Sequence, residues 1–151
     1  MMGMPRTSTV FLIHLCATLF MTGVIWVIQV VHYPLFARVG NEGYAAYQAE
    51  HEQRITWIVG PVMLVELATA IYLVGAGAAG FSRPALLVNL ALLALIWLST
   101  FFLQVPQHQR LEQGFDPRAI QLLVQTNWIR TILWSARSIL LATLIRTHLP
   151  K

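Results

Sequence analysis

With 57% hydrophobic and only 11% charged residues over 151 positions, the chain is not an ordinary water-soluble globule. A mean hydropathy of +0.64 places it among membrane proteins, and its length suits one domain covering 1–151. The formal charge of +4 comes with no basic cluster outside the apolar runs, which excludes a nucleic-acid partner, and Cys16 has no second cysteine with which to form an intrachain disulfide.

Four apolar runs, at about 10–33, 55–74, 85–105 and 128–145, are each near the roughly 20 residues that cross a bilayer as a helix. The fold class is therefore all-α, a four-transmembrane-helix bundle in a multi-pass protein whose first partner is lipid. The first run is too long for a signal-peptide core and no small-x-small cleavage site follows it, so it is read as a span. It carries His14, Thr18, Thr22, Gln29 and His32 as one polar stripe, and Pro34 is expected to end it. Ala45 to Arg54 reads as an interfacial helix leading into span 2, where Gly60-Pro61 should kink the chain ahead of Glu66. The stretch from Gly75 to Gly80 reads as a turn, Ser82 as the N-cap of span 3, and Asp116-Pro117 as the start of a last helix reaching about Thr147.

A weak internal repeat accompanies these elements. Pro34-x-x-x-Arg38 through Gly43-Tyr44 resembles Pro106-x-x-x-Arg110 through Gly114-Phe115, and His51-x-x-Arg54 resembles Asn127-x-x-Arg130. Two parallel two-helix repeats, related by an axis along the membrane normal, would produce that pattern. Arg6, Arg83, Arg146 and Lys151 share one side without acids, whereas the other carries Arg38, Arg54, Arg110 and Arg118 beside Glu42, Glu50, Glu52, Glu112 and Asp116; Lys and Arg alone are nearly balanced, and the termini are expected in the cytoplasm of a cell-membrane protein.

Asn127, Arg130, Trp134 and Arg137 form a single stripe on the last helix, and a buried arginine needs a partner. Glu66 is the only acid inside an apolar run. Both Glu66 and Arg137 lie about 11 residues into their spans, roughly 16 Å deep, so they are expected to pair. A second set, nearer the surface, draws on all four helices: Gln29 and His32, His51 and Arg54, Gln104 and His108, Asn127 and Arg130. Together they would line a cationic vestibule floored by Glu66 and Arg137, with Trp134 and Trp57 offering aromatic faces to a small hydrophobic ligand with a phenolic or anionic head. No metal-ligand motif accompanies them, so neither metal nor cofactor is expected; axial ligation of a haem by His32 and His108 is the alternative.

The Pro106 to Gly114 loop and Asn127-Trp128-Ile129-Arg130 with Arg137 two turns on resemble the anthrone-oxygenase-like family of small four-helix membrane proteins. The resemblance implies binding of a phenolic or quinone-like molecule and, by analogy with fungal members, cofactor-independent oxidation of anthrones to anthraquinones. His32 or His108 would then act as the base, and Arg130 would stabilise the resulting anion, with Gln29, His51, Arg54, Glu66, Gln104, Asn127, Trp134 and Arg137 surrounding the ligand. From a different class, a non-catalytic membrane subunit or carrier would use Glu66 and Arg137 only as a structural pair.

Overall fold

The computed structural model describes residues 6–76 and 81–146. Four helices make up the bundle: α1 (Arg6–Phe36), α2 (Tyr44–Gly75), α3 (Arg83–Leu111) and α4 (Pro117–Arg146), each long and apolar enough to cross a membrane. At 29 to 32 residues each, they exceed the roughly 20 needed for the hydrocarbon core, so their ends reach into the interface. The expected turn falls partly on 77–80, which lies outside the described residues, as does Thr147.

The outer surface is what lipid requires. Trp57, Phe102 and Ile139 are largely exposed, whereas Glu66, Arg130, Arg137 and Asn127 are buried. Polar groups inside and apolar groups outside invert the soluble arrangement, and the chain is a multi-pass membrane protein on that ground. Helix α1 packs on α2 and α4, and α3 on the same two, so α1 and α3 lie diagonally across the bundle.

Pro34 does not end the first helix. Residues Ile28–His32 form a π-helical turn in which the Tyr33 N–H reaches the Ile28 carbonyl, and the helix then continues to Phe36. In α3 the same device precedes Pro106: Thr100–Gln104 is π-helical, with the Val105 N–H on the Thr100 carbonyl. The extra residue in each turn relieves the clash a proline ring makes with the preceding turn. Span 3 consequently extends to Leu111. In α2 the helix likewise runs on through Pro61, and the helical stretch expected ahead of span 2 forms its first turns.

The repeat has a structural counterpart. Each π turn ends two residues before a proline, and each following connection contains a glycine with positive φ, Gly43 at 74° and Gly114 at 143°. The next residues, Tyr44 and Phe115, meet edge to face with ring centroids 5.2 Å apart. Matching residues in contact, with matching helices diagonal, agree with the arrangement that two parallel repeats would give.

Helix α4 begins as its sequence indicates: Asp116 Oδ1 accepts the N–H groups of Arg118 and Ala119 at 2.9 and 3.1 Å. Ser82 occupies the N-cap position of α3 without a side-chain cap. Asp116→Ala should destabilise the bundle by about 1 kcal/mol in a detergent-unfolding titration, whereas Ser82→Ala should be close to neutral.

Candidate functional site

The bundle carries two polar layers. The deeper separates an apolar cluster around Met21, Met63 and Ile96 from another around Leu15, Leu73 and Leu86. At its centre Arg137 Nη1 lies 2.6 Å from Glu66 Oε1, with both side chains fully buried. Glu66 also accepts from the Thr18 hydroxyl at 2.9 Å and from the Trp134 indole N–H at 3.2–3.3 Å. Arg137 Nε donates to Asn89 Oδ1, leaving the Asn89 amino group to donate to His14 Nε2 at 2.9 Å. That nitrogen therefore carries no hydrogen. The hydrogen of His14 is on Nδ1, 2.7 Å from the Thr69 hydroxyl, and the imidazole is neutral. All four helices contribute a side chain to this layer.

The upper layer is built around Tyr33, which the π turn points inward. Its hydroxyl oxygen lies 3.2 Å from Arg130 Nη2 and 3.0 Å from His108 Nε2. Arg130 is oriented by Asn127 Oδ1, Asn127 donates to Gln29 Oε1 at 2.8 Å, and Gln29 donates to the Val124 carbonyl. Behind His108, Gln48 Nε2 lies 2.8 Å from both His108 Nδ1 and Glu52 Oε1. With Glu52 as a carboxylate, the Gln48 amino group faces both acceptors, so His108 accepts at Nδ1 and carries its hydrogen on Nε2. His108 then donates to Tyr33, which also accepts from Arg130. The hydroxyl hydrogen of Tyr33 is left for a further acceptor.

Tyr33, Arg130 and His108 share the wall of a cavity of about 300 Å³ between the helices. Met21, Met63 and the Trp134 ring supply its apolar floor, and Glu52, Gln109 and Glu112 lie toward the helix ends that reach the interface. Apolar walls with a few convergent polar groups are what a small-ligand site requires.

The residues expected from sequence divide among several positions. Arg130, His108, Gln104 and Trp134 line the cavity. Gln29 and Asn127 stand behind Arg130 and orient it. Glu66 and Arg137 pair as expected, yet Trp134, part of the cavity floor, lies between them and the cavity, so they belong to the scaffold. Arg54 does not join the cluster: its side chain is 76% exposed and pairs with Glu50. Trp57 turns outward to the same degree, at 76% exposed. His32 bonds to His51, Nε2 to Nδ1 at 3.0 Å, on the outer side of the α1–α2 contact, and does not line the cavity. For a haem between His32 and His108, both nitrogens of His108 are already engaged by Tyr33 and Gln48. Tyr33, Gln48 and Glu52 are the residues that sequence reasoning passed over. Gln48 and Glu52, four apart beside His51, carried a signal; Tyr33 lay in an aromatic run that reads as an interface belt.

No protein family, curated protein or solved structure matches this chain.

Replacing Glu66 or Arg137 by leucine leaves the other charge buried alone, at a cost of about 3–5 kcal/mol. The double replacement should be less destabilising than the sum by at least about 1 kcal/mol, measured by detergent unfolding. Additive losses would mean that the two do not act as a pair.

Proposed function

We propose that this protein binds a small aromatic molecule bearing a carbonyl or phenolic oxygen, held in the cavity with that oxygen on Tyr33. The observation that carries this reading is the Tyr33 hydroxyl: two donors, Arg130 and His108, already occupy its lone pairs, so its hydrogen is available to a ligand at the edge of an otherwise apolar space. A hydroxyl backed by a guanidinium is a strong donor, and it suits an oxygen on which negative charge develops.

The same wall suits the oxidation implied by the resemblance to anthrone oxygenases. A substrate carbonyl on Tyr33 and Arg130 acidifies its conjugated CH₂ group, and the Glu52 carboxylate, which also lines the cavity, removes the proton. The stabilised carbanion reduces dioxygen. One oxygen atom becomes the new ring carbonyl, and the other leaves as water with the two hydrogens. Glu52 thereby takes the role that sequence reasoning gave to His32 or His108, since His32 lies outside the cavity and His108 presents an N–H to Tyr33. The fully paired deep layer supports a structural part for Glu66 and Arg137, as the carrier or subunit reading also requires.

The charge pattern supports a cell-membrane location with both termini cytoplasmic, the cavity mouth then opening on the opposite face. Arg6, Arg83 and Arg146 stand without acids at one end of the bundle, whereas Arg38, Arg54, Arg110 and Arg118 at the other end are accompanied by Glu42, Glu50, Glu52, Glu112 and Asp116; the cation counts are nearly equal, and the acid-free end is the one taken as cytoplasmic.

Binding of 2-naphthol to nanodisc-embedded protein, followed by naphthol fluorescence, tests the ligand site. Tyr33→Phe should weaken it about tenfold, the worth of one buried hydrogen bond, and leave binding of naphthalene unchanged. If the substitution weakens both equally, or neither, the hydroxyl does not hold the ligand.

A further inference from the structure

A second concavity lies on the lipid side of the bundle. It is a groove of about 870 Å³ between α1 and α2, with Leu19, Phe20 and Gly23 at its deep end and His32, His51 and Arg54 toward the interface. Ile28 and Ile55 line this groove and also line the internal cavity, so two aliphatic side chains form a partition between lipid and the Tyr33 site. Ile28 opens the π-helical turn of α1, where the regular hydrogen-bond ladder is interrupted, and its neighbour across the gap, Ile55, is only partly buried.

We infer that this groove is a lateral portal: ligands of the cavity arrive dissolved in the bilayer, lie along the α1–α2 groove, and pass between Ile28 and Ile55 to reach Tyr33. The inference rests on the cavity reading above and extends it to the source of the ligand, a neutral membrane-partitioned aromatic. Three observations support the route. An apolar ligand is concentrated in lipid, and the groove opens there. The competing aqueous opening carries Glu52, Gln109 and Glu112, whose hydration an apolar ring would have to displace. The polar end of the groove is close to neutral, since Arg54 is paired with Glu50 and His32 with His51, which favours a hydrogen-bonding head without charge.

Gly23 provides the means of testing it. A Cβ at that position would meet nothing within 4 Å, so a larger side chain can fill the groove without disturbing the backbone. The probe reaction is thiol labelling in liposomes, on a chain carrying Cys16→Ser and Met63→Cys, which places the one thiol at the cavity floor. Two methanethiosulfonates are compared: the benzyl reagent, which partitions into lipid, and the trimethylammonium-ethyl reagent, which stays in water.

The portal predicts that the benzyl reagent reacts faster and that adding Gly23→Leu slows it by about tenfold, as expected for a blocked gating path. Ile55→Ala should speed it. The rate of the charged reagent should be the same with and without Gly23→Leu, which shows that the cavity is still formed. Equal rates for the two reagents, or a benzyl rate indifferent to Gly23→Leu, would place access at the aqueous mouth and overturn the proposal. Because no ligand is used, this outcome is independent of whether naphthol binds. A protein that admits the benzyl reagent through the groove but binds no naphthol would retain the portal and lose the ligand assignment.

Discussion

Burying Glu66 and Arg137 side by side in the middle of a membrane is the constraint on which the rest of the structure depends. Neither charge is tolerable there alone, and the Coulomb attraction of the pair covers the desolvation cost only if the remaining donors and acceptors are also satisfied. Thr18, Asn89, His14, Thr69 and Trp134 do this, and because they come from all four helices, the network fixes how far each helix is inserted and how it is rotated. Lipid gives little hydrophobic drive for helices to associate, so such a network carries register information that an apolar interface would not. The cavity above it is held by consequence: Trp134, anchored through its indole N–H to Glu66, is its floor.

The two π turns set the other half of the geometry. An additional residue in a helical turn rotates everything beyond it by roughly 100°. In α1 this brings Tyr33 to the interior and moves His32 to the outer side of the α1–α2 contact. In α3 it precedes the segment that carries His108 to the cavity wall. Proline therefore follows a π turn in both helices, at the corresponding positions Pro34 and Pro106 of the two similar stretches. The same irregular turn in α1 holds Ile28, so one departure from helical regularity shapes both the polar wall of the cavity and the aliphatic partition toward the α1–α2 groove.

Much of this was legible in the sequence. Run lengths gave four spans, the N-cap of α4 was readable from Asp116-Pro117, and depth counting alone paired Glu66 with Arg137. The polar stripe of α1 was correct through Gln29 and failed at the next turn, because the α-helical period was continued across a π turn that composition does not announce. Arg54 opens span 2 at the depth of the vestibule, which is why the sequence points to it, but the Glu50 carboxylate four residues earlier offers it a partner at the surface. A tyrosine near a span end ordinarily belongs to the interface, whereas Tyr33 is buried as a result of the same unannounced turn. The consequence is larger than one residue, since the turn takes the His32 imidazole away from the cavity and puts the Tyr33 hydroxyl on its wall.

As proposed, the Tyr33 hydroxyl, reinforced by Arg130, is the group a ligand oxygen meets. The most direct measurement is the infrared carbonyl stretch of ¹³C=O-labelled 9-fluorenone bound to the protein in nanodiscs. The expected band lies at lower wavenumber than for fluorenone in lipid alone and returns to the lipid position in Tyr33→Phe. A bound carbonyl whose frequency matches that in lipid, or whose shift survives Tyr33→Phe, would contradict it.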